Sequence, residues 1–216
     1  MSPVQGGGAG PGLRAGVDSG ATKTLTVLRD ERDRVLGEAV APTPARRGGA
    51  AILDTAAGMV LGLLTGAGAA LADLAGVGVG AAGVISDDGR VTAASGSFAR
   101  WVGTEIDLEL SGRLGGVPVR SENDVNAFLL AELAALGRDR PRQALAVALG
   151  TGVGGALLVD GQLLRGFGAG AGEIGHVGDF GDEPCTCGRR GHLEAYAGDW
   201  ALARRYAAAT GLAWTA

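Results

Sequence analysis

The chain has 216 residues, 46% of them apolar and 19% charged, with 41 glycines and a formal net charge of −4. That length buries a substantial core in one ordinary domain or two small lobes, and the apolar content speaks against disorder. The acidic balance and dispersed arginines speak against a nucleic-acid binder, and two cysteines are too few for a disulfide framework, so a reducing, cytoplasmic setting is expected.

Residues 1–12 lack the basic stretch and apolar core of a secretory signal and read as a flexible tail. Two β-rich runs, Leu13 to Val17 and Thr24 to Leu28, flank the turn Asp18-Ser-Gly-Ala-Thr-Lys23. A charged turn at Arg29 to Arg34 leads to a third run, Val35 to Val40, giving an antiparallel meander. After Pro42-Thr-Pro44, an Ala/Gly-rich helix is expected from about Ala50 to Ala75. Its uncharged part, Thr55 to Ala72, reaches the length of a marginal membrane span, and Gly58, Gly62 and Gly66 share one helical face. The flanking Asp54 and Asp73 lack the Lys/Arg bias of a span, so the expectation is a helix lying close against a sheet, with no membrane.

The run from Val77 to Ile85 reads as a buried strand, and Asp87-Asp-Gly89 as a turn. Trp101 to Leu114 reads as a loop and short helix carrying Ile106, Leu108, Leu110 and Leu114. Val117-Pro-Val-Arg120 is a strand running into Ser121-Glu-Asn-Asp124, where a helix begins with Val125, Phe128, Leu129, Leu133 and Leu136 at helical spacing. Gly137 ends it, and the charged segment Arg138 to Arg142 divides the chain into lobes at 13–140 and 141–216. Beyond it come a strand, Ala144 to Leu149, a glycine turn, Gly150 to Gly155, a strand, Ala156 to Val159, and a hairpin onto Gln162 to Arg165 through Asp160-Gly161. Meander, glycine turn and helix followed by a second meander make an approximate internal repeat. An amphipathic helix, Trp200 to Ala209, closes the chain.

Three stretches carry candidate chemistry. The turns at Asp18 to Lys23 and Gly150 to Gly155 let backbone N–H groups approach phosphate oxygens, threonines add hydroxyl donors, and an Asp at a strand end can hold Mg²⁺ through water. A glycine hairpin is more often only a turn, but two in corresponding places of two repeats point to phosphate. Asp124, between Asn123 and Asn126, is either a helix N-cap or a general base beside a substrate-orienting Asn123, and the two roles are compatible. Both histidines and both cysteines fall within seventeen residues as His176-x8-Cys185-x-Cys187-x4-His192. These are the soft and borderline ligands of a tetrahedral zinc site, and four protein ligands would make it structural. The alternative is four unpaired polar residues on a loop.

Together these motifs resemble the ROK family of sugar kinases and related repressors, within the actin-like ATPase (ribonuclease H-like) fold, an α/β architecture of two lobes around a cleft. Asp18-x-Gly20-x-Thr22-Lys23 is similar to its first phosphate loop, and Glu122-Asn123-Asp124 to its catalytic segment. Leu149-x-x-Gly152-Val153-Gly154-x-Ala156-Leu157, with Gly166, Gly172, Gly175 and His176, looks like its signature. Glu173-Ile-Gly-His176, Cys185-x-Cys187-Gly and Glu194 follow its sugar and zinc motifs.

The resemblance implies ATP-dependent phosphorylation of a hexose or N-acylhexosamine. Asp124 would be the base. Asn123, Glu173, His176 and Glu194 would hold sugar hydroxyls. Asp18, Gly20, Thr22, Lys23, Thr151 and Gly152 would serve phosphate and Mg²⁺. His176, Cys185, Cys187 and His192 would bind Zn²⁺, with the second ring nitrogen of His176 facing the sugar. The implied partners are a sugar and a nucleotide, and a homodimer is allowed.

Departures from the family pattern are His192 in place of a third cysteine, Ala21 for glycine, Ala82 for proline and Ser97 for a frequent sugar-contacting asparagine. Family members also continue further, with a later glycine-rich nucleotide motif, so the second lobe is expected to be incomplete. Two alternatives follow: a catalytically weak sugar-binding fragment, or a sugar-responsive regulator without its DNA-binding domain.

Overall fold

The structure, a computed structural model, describes residues 12–214. The expected tail therefore lies, Gly12 apart, outside the described residues. In chain order the strands are β1 (Leu13–Ser19), β2 (Lys23–Arg29), β3 (Val35–Pro42), β4 (Leu74–Ala81), β5 (Val84–Ile85), β6 (Val91–Ala93), β7 (Val119–Asn123), β8 (Ala144–Leu149), β9 (Val153–Val159) and β10 (Gln162–Leu163). The helices are α1 (Gly49–Gly66), α2 (Ile106–Arg113), α3 (Asp124–Ala135), α4 (Glu194–Ala197) and α5 (Asp199–Thr210), with short 3-10 turns between.

The first meander forms as expected and is extended by two parallel strands into a sheet ordered β3-β2-β1-β4-β7. Alternation dictates its packing. Ala15 and Val17 of β1 and Thr24, Thr26 and Leu28 of β2 point to one face and are buried. There Ile52, Leu53, Ala56, Ala57, Val60 and Leu64 of α1 join Ile106 and Leu110 of α2 in one apolar core. At roughly 25 cal/mol per Å² of buried apolar surface, this layer is the main source of stability in the first half.

Helix α1 is the one helix among the described residues long and apolar enough to cross a membrane, yet its apolar face is spent on this core. It ends at Gly66, earlier than the expected Ala75. The Ala67 N–H bonds back to the carbonyls of Leu63 and Leu64, and Gly68 takes a left-handed φ of +68°. An uncharged sequence hides such a break, because the helix and β4, which starts at Leu74, are equally apolar. The stripe of Gly58, Gly62 and Gly66 is exposed and nothing lies near it, so the close approach to the sheet is made by the opposite face.

The second sheet is ordered β10-β9-β8. The expected glycine turn is shorter than Gly150–Gly155, because Val153, Gly154 and Gly155 already pair with Leu149, Ala148 and Val147. Helix α3 lies between the two sheets, against β4 and β7 on one side and β8 and β9 on the other. Val125, Leu129 and Leu133 fill a second core with Ala146, Ala156 and Leu158. Phe128 and Leu136, expected on the same buried stripe, are exposed at 51% and 52%. The terminal helix α5 buries only Ala201.

Two features position the site. Parallel pairing aligns Asp18 with Gly80 and Gly80 with Glu122, and one step on Ser19 with Ala81 and Ala81 with Asn123. The carboxyl ends of β1, β4 and β7 thus meet along one edge, where open parallel sheets place ligands. The hairpin of β8 and β9 presents its own turn, Gly150 to Gly152, from the second sheet.

Candidate active site

Asp124 opens α3 where β7 ends. The N-cap is Asn123, not Asp124: its Oδ1 accepts the N–H groups of Val125 and Asn126, each at 3.0 Å. This satisfies two of the donors that a helix start leaves free. The Asn123 amide nitrogen donates to Asp124 Oδ1 at 3.0 Å and to the Gly83 carbonyl at 3.1 Å. Asp124 Oδ1 also accepts the Val125 N–H at 2.9 Å. One carboxylate oxygen is therefore fixed, and Oδ2 has no hydrogen-bond partner among the described residues. Burial pushes the Asp124 carboxyl above its ordinary range, the Val125 N–H pulls it back, and the charges of Asp18 and Glu173 push it up again.

The other two acids are themselves shifted upward. Asp18, at the end of β1, is raised by desolvation and pulled back by the Lys23 ammonium. Glu173 is raised by desolvation and by Glu194, with His176 acting the other way. Asp18 and Glu173, from different elements, thus each act on the Asp124 carboxyl through their charge.

A cleft of about 330 Å³ is lined by Thr22, the Thr43–Arg47 segment, Ser97 and Thr151. It brings the two glycine turns together, with Thr22 from the first sheet facing Thr151 from the second. Gly20 closes the first turn through its N–H to the Lys23 carbonyl at 3.1 Å, which leaves the side chains of Thr22 and Lys23 exposed. Arg46 and Arg47, which sequence reasoning passed over, add positive charge to this wall. A larger cavity, about 620 Å³ and lined by Asp30, Arg34 and Asp73, contains none of the candidate residues.

The facing wall is the segment from Gly166 to Leu193, which has only short 3-10 turns of regular structure. Glycines seat it. A Cβ at Gly175 would lie 2.0 Å from the Val153 carbonyl oxygen, and one at Gly155 2.7 Å from that of Gly172, so these backbones touch in a way only glycine permits. Glu194, first residue of α4, is buried, and its Oε2 accepts the Val153 N–H at 3.1 Å. Its Oε1 accepts the Thr186 hydroxyl at 2.5 Å. A Cβ at Gly152 would sit 2.4 Å from Glu194 Oε2, so the buried carboxylate packs directly against the glycine of this turn.

His176, Cys185, Cys187 and His192 come together, with one donor atom from each lying within 4.8 Å of all the others. His176 Nδ1 is 3.6 Å from Cys185 Sγ, and His192 Nδ1 is 3.2 Å from Cys187 Sγ. His176 Nε2 points the other way and lies 3.9 Å from Glu173 Oε2. Burial raises the Cys185 thiol, and a divalent cation among the four donors would act in the opposite sense.

Two strand–glycine turn–strand units across a cleft, with a carboxylate at a strand–helix junction between them, define the architecture of the actin-like ATPases. The ROK family pattern matches residues 14–213, and the chain belongs to the ROK family. It is 34% identical over 194 residues to a glucokinase of Streptomyces coelicolor, covering 89% of this chain and 58% of that protein. A kanosamine kinase of Amycolatopsis mediterranei is 38% identical over 130 residues, 60% of this chain and 42% of the relative.

Among solved structures, a ROK family glucokinase from Streptomyces griseus, in complex with glucose and AMPPNP, superposes with a TM-score of 0.76 at 32% identity over 93% of this chain and 62% of that one. A ROK family transcriptional regulator superposes with a TM-score of 0.74 at 21% identity, which shows the shared fold alone. The chain spans 58% of the length of the Streptomyces glucokinase it matches.

Proposed function

We propose that the chain carries the acceptor site and both phosphate turns of an ATP-dependent kinase for a hexose or N-acylhexosamine. The observation that carries this reading is Asp124: one oxygen pinned by Asn123 and Val125, the other open, its pKa raised toward the working range of a base, and Glu173 close by. Asn123, Glu173, His176 and Glu194 hold sugar hydroxyls. Asp124 accepts the proton of the attacking hydroxyl as its oxygen bonds to the γ-phosphorus, and the bond to the β,γ-bridging oxygen breaks to release ADP. Such transfer depends mainly on positioning and on neutralising charge, which Lys23, Thr22, Thr151 and Gly152 serve in this reading. Asp18 is the residue suited to Mg²⁺, since a cation relieves its repulsion with Asp124.

The His176, Cys185, Cys187 and His192 donors suit Zn²⁺ in kind and in spacing. When bound, zinc supplies rigidity and no open coordination position. His176 would bind it through Nδ1 and keep Nε2 beside Glu173, so the metal fixes the imidazole that faces the sugar. We place the division between lobes at residues 138–142, with the cleft between them.

A second reading of the same site is a sugar-binding module of weak turnover. A coupled ATPase assay over glucose, mannose, fructose, N-acetylglucosamine and N-acetylmannosamine, paired with calorimetric sugar titrations, separates the two. Turnover on one of these sugars is expected, whereas binding without turnover would favour the module.

A further inference from the structure

One side chain joins the second sheet to the segment that holds Asp124. Arg165 follows β10, and its carbonyl accepts the Ala171 N–H at 2.9 Å, so its backbone belongs to the hairpin side of the cleft. Its guanidinium crosses to β7, where Nη2 and Nε donate to Glu122 Oε2 at 2.5 and 3.1 Å. The other oxygen, Glu122 Oε1, accepts the Asn123 N–H and the Asn126 side-chain amide, both at 3.0 Å. Glu122 is thus a carboxylate with four donors, two from across the cleft and two flanking Asp124. The connection runs on through the Asn123 amide to Asp124 Oδ1.

An exposed ion pair contributes little to stability and positions nothing. This one differs at its acidic end. The Glu122 side chain is 15% exposed, against 42% for Arg165. Loss of the guanidinium leaves a largely buried carboxylate with half its donors, and the side chain then gains by turning to water, which releases the Asn123 N–H and the Asn126 amide. Asp87, 3.7 Å from Arg165 but 90% exposed, offers the arginine little competition.

We propose that Arg165 is a positioning residue: through Glu122 it aims Asn123 and Asp124, and it does so only while the two sides of the cleft keep their spacing. The catalytic part of this proposal rests on the kinase reading above; the hydrogen-bond relay does not. Displacement of a base by about 1 Å costs up to about a hundredfold in rate.

The test uses Arg165→Met and Arg165→Lys in the chain as it stands. Hydrogen exchange read residue by residue needs no turnover. In Arg165→Met the Asn123 amide should exchange at least about tenfold faster, with the core of α1 unchanged, while Arg165→Lys restores most of the protection. In the coupled assay, kcat should fall about tenfold to a hundredfold in Arg165→Met with sugar Kd within about threefold. Unchanged exchange at Asn123, or a uniform rise across the chain, overturns the relay. Faster local exchange with full kcat overturns its catalytic role. Faster local exchange in a chain whose wild type phosphorylates no sugar leaves the relay standing and removes the kinase reading instead.

Discussion

The two walls of the cleft are built on different principles. Asn123 and Asp124 sit between a strand and a helix, and the hydrogen bonds that place them come from those elements, Glu122 included, and from the Gly83 carbonyl. The segment from Gly166 to Leu193 has a single isolated bridge, between Pro184 and Arg190, and no helix longer than one turn. It is placed by glycine backbones pressed on β9 and by four metal-type side chains gathered within 4.8 Å. The first wall is held by secondary structure and the second by contacts that a single atom can destroy. Substitutions on the two walls should therefore fail in different ways.

The largest effect is expected at Asp124. Asp124→Asn keeps the carbonyl oxygen that accepts from Val125 and Asn123 but cannot accept a proton, so kcat should fall about 10²–10⁴-fold with sugar Kd within about tenfold. Steady-state assays with a titration of the same sugar check both halves, and unchanged turnover would remove Asp124 from its role. On the opposite wall, binding and order should fail first. The purified protein should contain about one zinc per chain by elemental analysis. Cys185→Ser, or chelation, should lower sugar affinity about 10–100-fold, because His176 loses the partner that orients it. Sugar affinity indifferent to metal would separate the cluster from the site.

What the sequence disclosed follows the same division. Short runs of β-favouring residues located β1, β2 and β8 to within two residues, and the Asn-Asp pair before an apolar helix marked the tip of β7. The Cys-x-Cys spacing marked the cluster. Non-local pairing stayed hidden: β4 and β7 extend the meander in parallel, and no local pattern says so. The end of α1 was missed because Gly66-Ala-Gly68 breaks an apolar run without polar punctuation. Phe128 shows the limit of helical spacing, since α3 buries only the narrow stripe that two sheets can reach. Glu122 was legible as part of a motif but its partner was not, because Arg165 lies 43 residues away, just past the last strand of the other sheet.

A smaller effect, on stability, tests how the second wall is seated. At Gly175 an added methyl would meet the Val153 carbonyl at 2.0 Å, so the turn carrying His176 must lift from β9. Gly175→Ala should cost about 1–3 kcal/mol, with loss of zinc at lower chelator concentration than in the wild type. The control is Gly58→Ala on the open face of α1, where nothing lies within 4 Å and helix propensity favours alanine by up to about 1 kcal/mol. Denaturant midpoints for the two variants should move in opposite directions; equal midpoints would mean that glycine contacts do not place this wall.

The smallest effect concerns the strain carried by the first wall. Burial, Asp18 and Glu173 raise the folded-state pKa of Asp124 above its unfolded value of about 3.9. Below that unfolded value the carboxyl is protonated in both states and costs nothing. As pH rises from there through the raised folded pKa, the unfolded chain loses its proton first, so stability falls with pH across that window and stays lower above it. Asp124→Asn carries no such charge. It should therefore melt above wild type at pH 7.5, and the gap should close as pH falls toward 4. The wild-type rate should fall through the same interval as the base is protonated. A gap of constant size would trace the effect to packing; a gap that widens in acid would reverse the sign and with it the account of Asp124 as a buried, charged base held ready at the expense of stability.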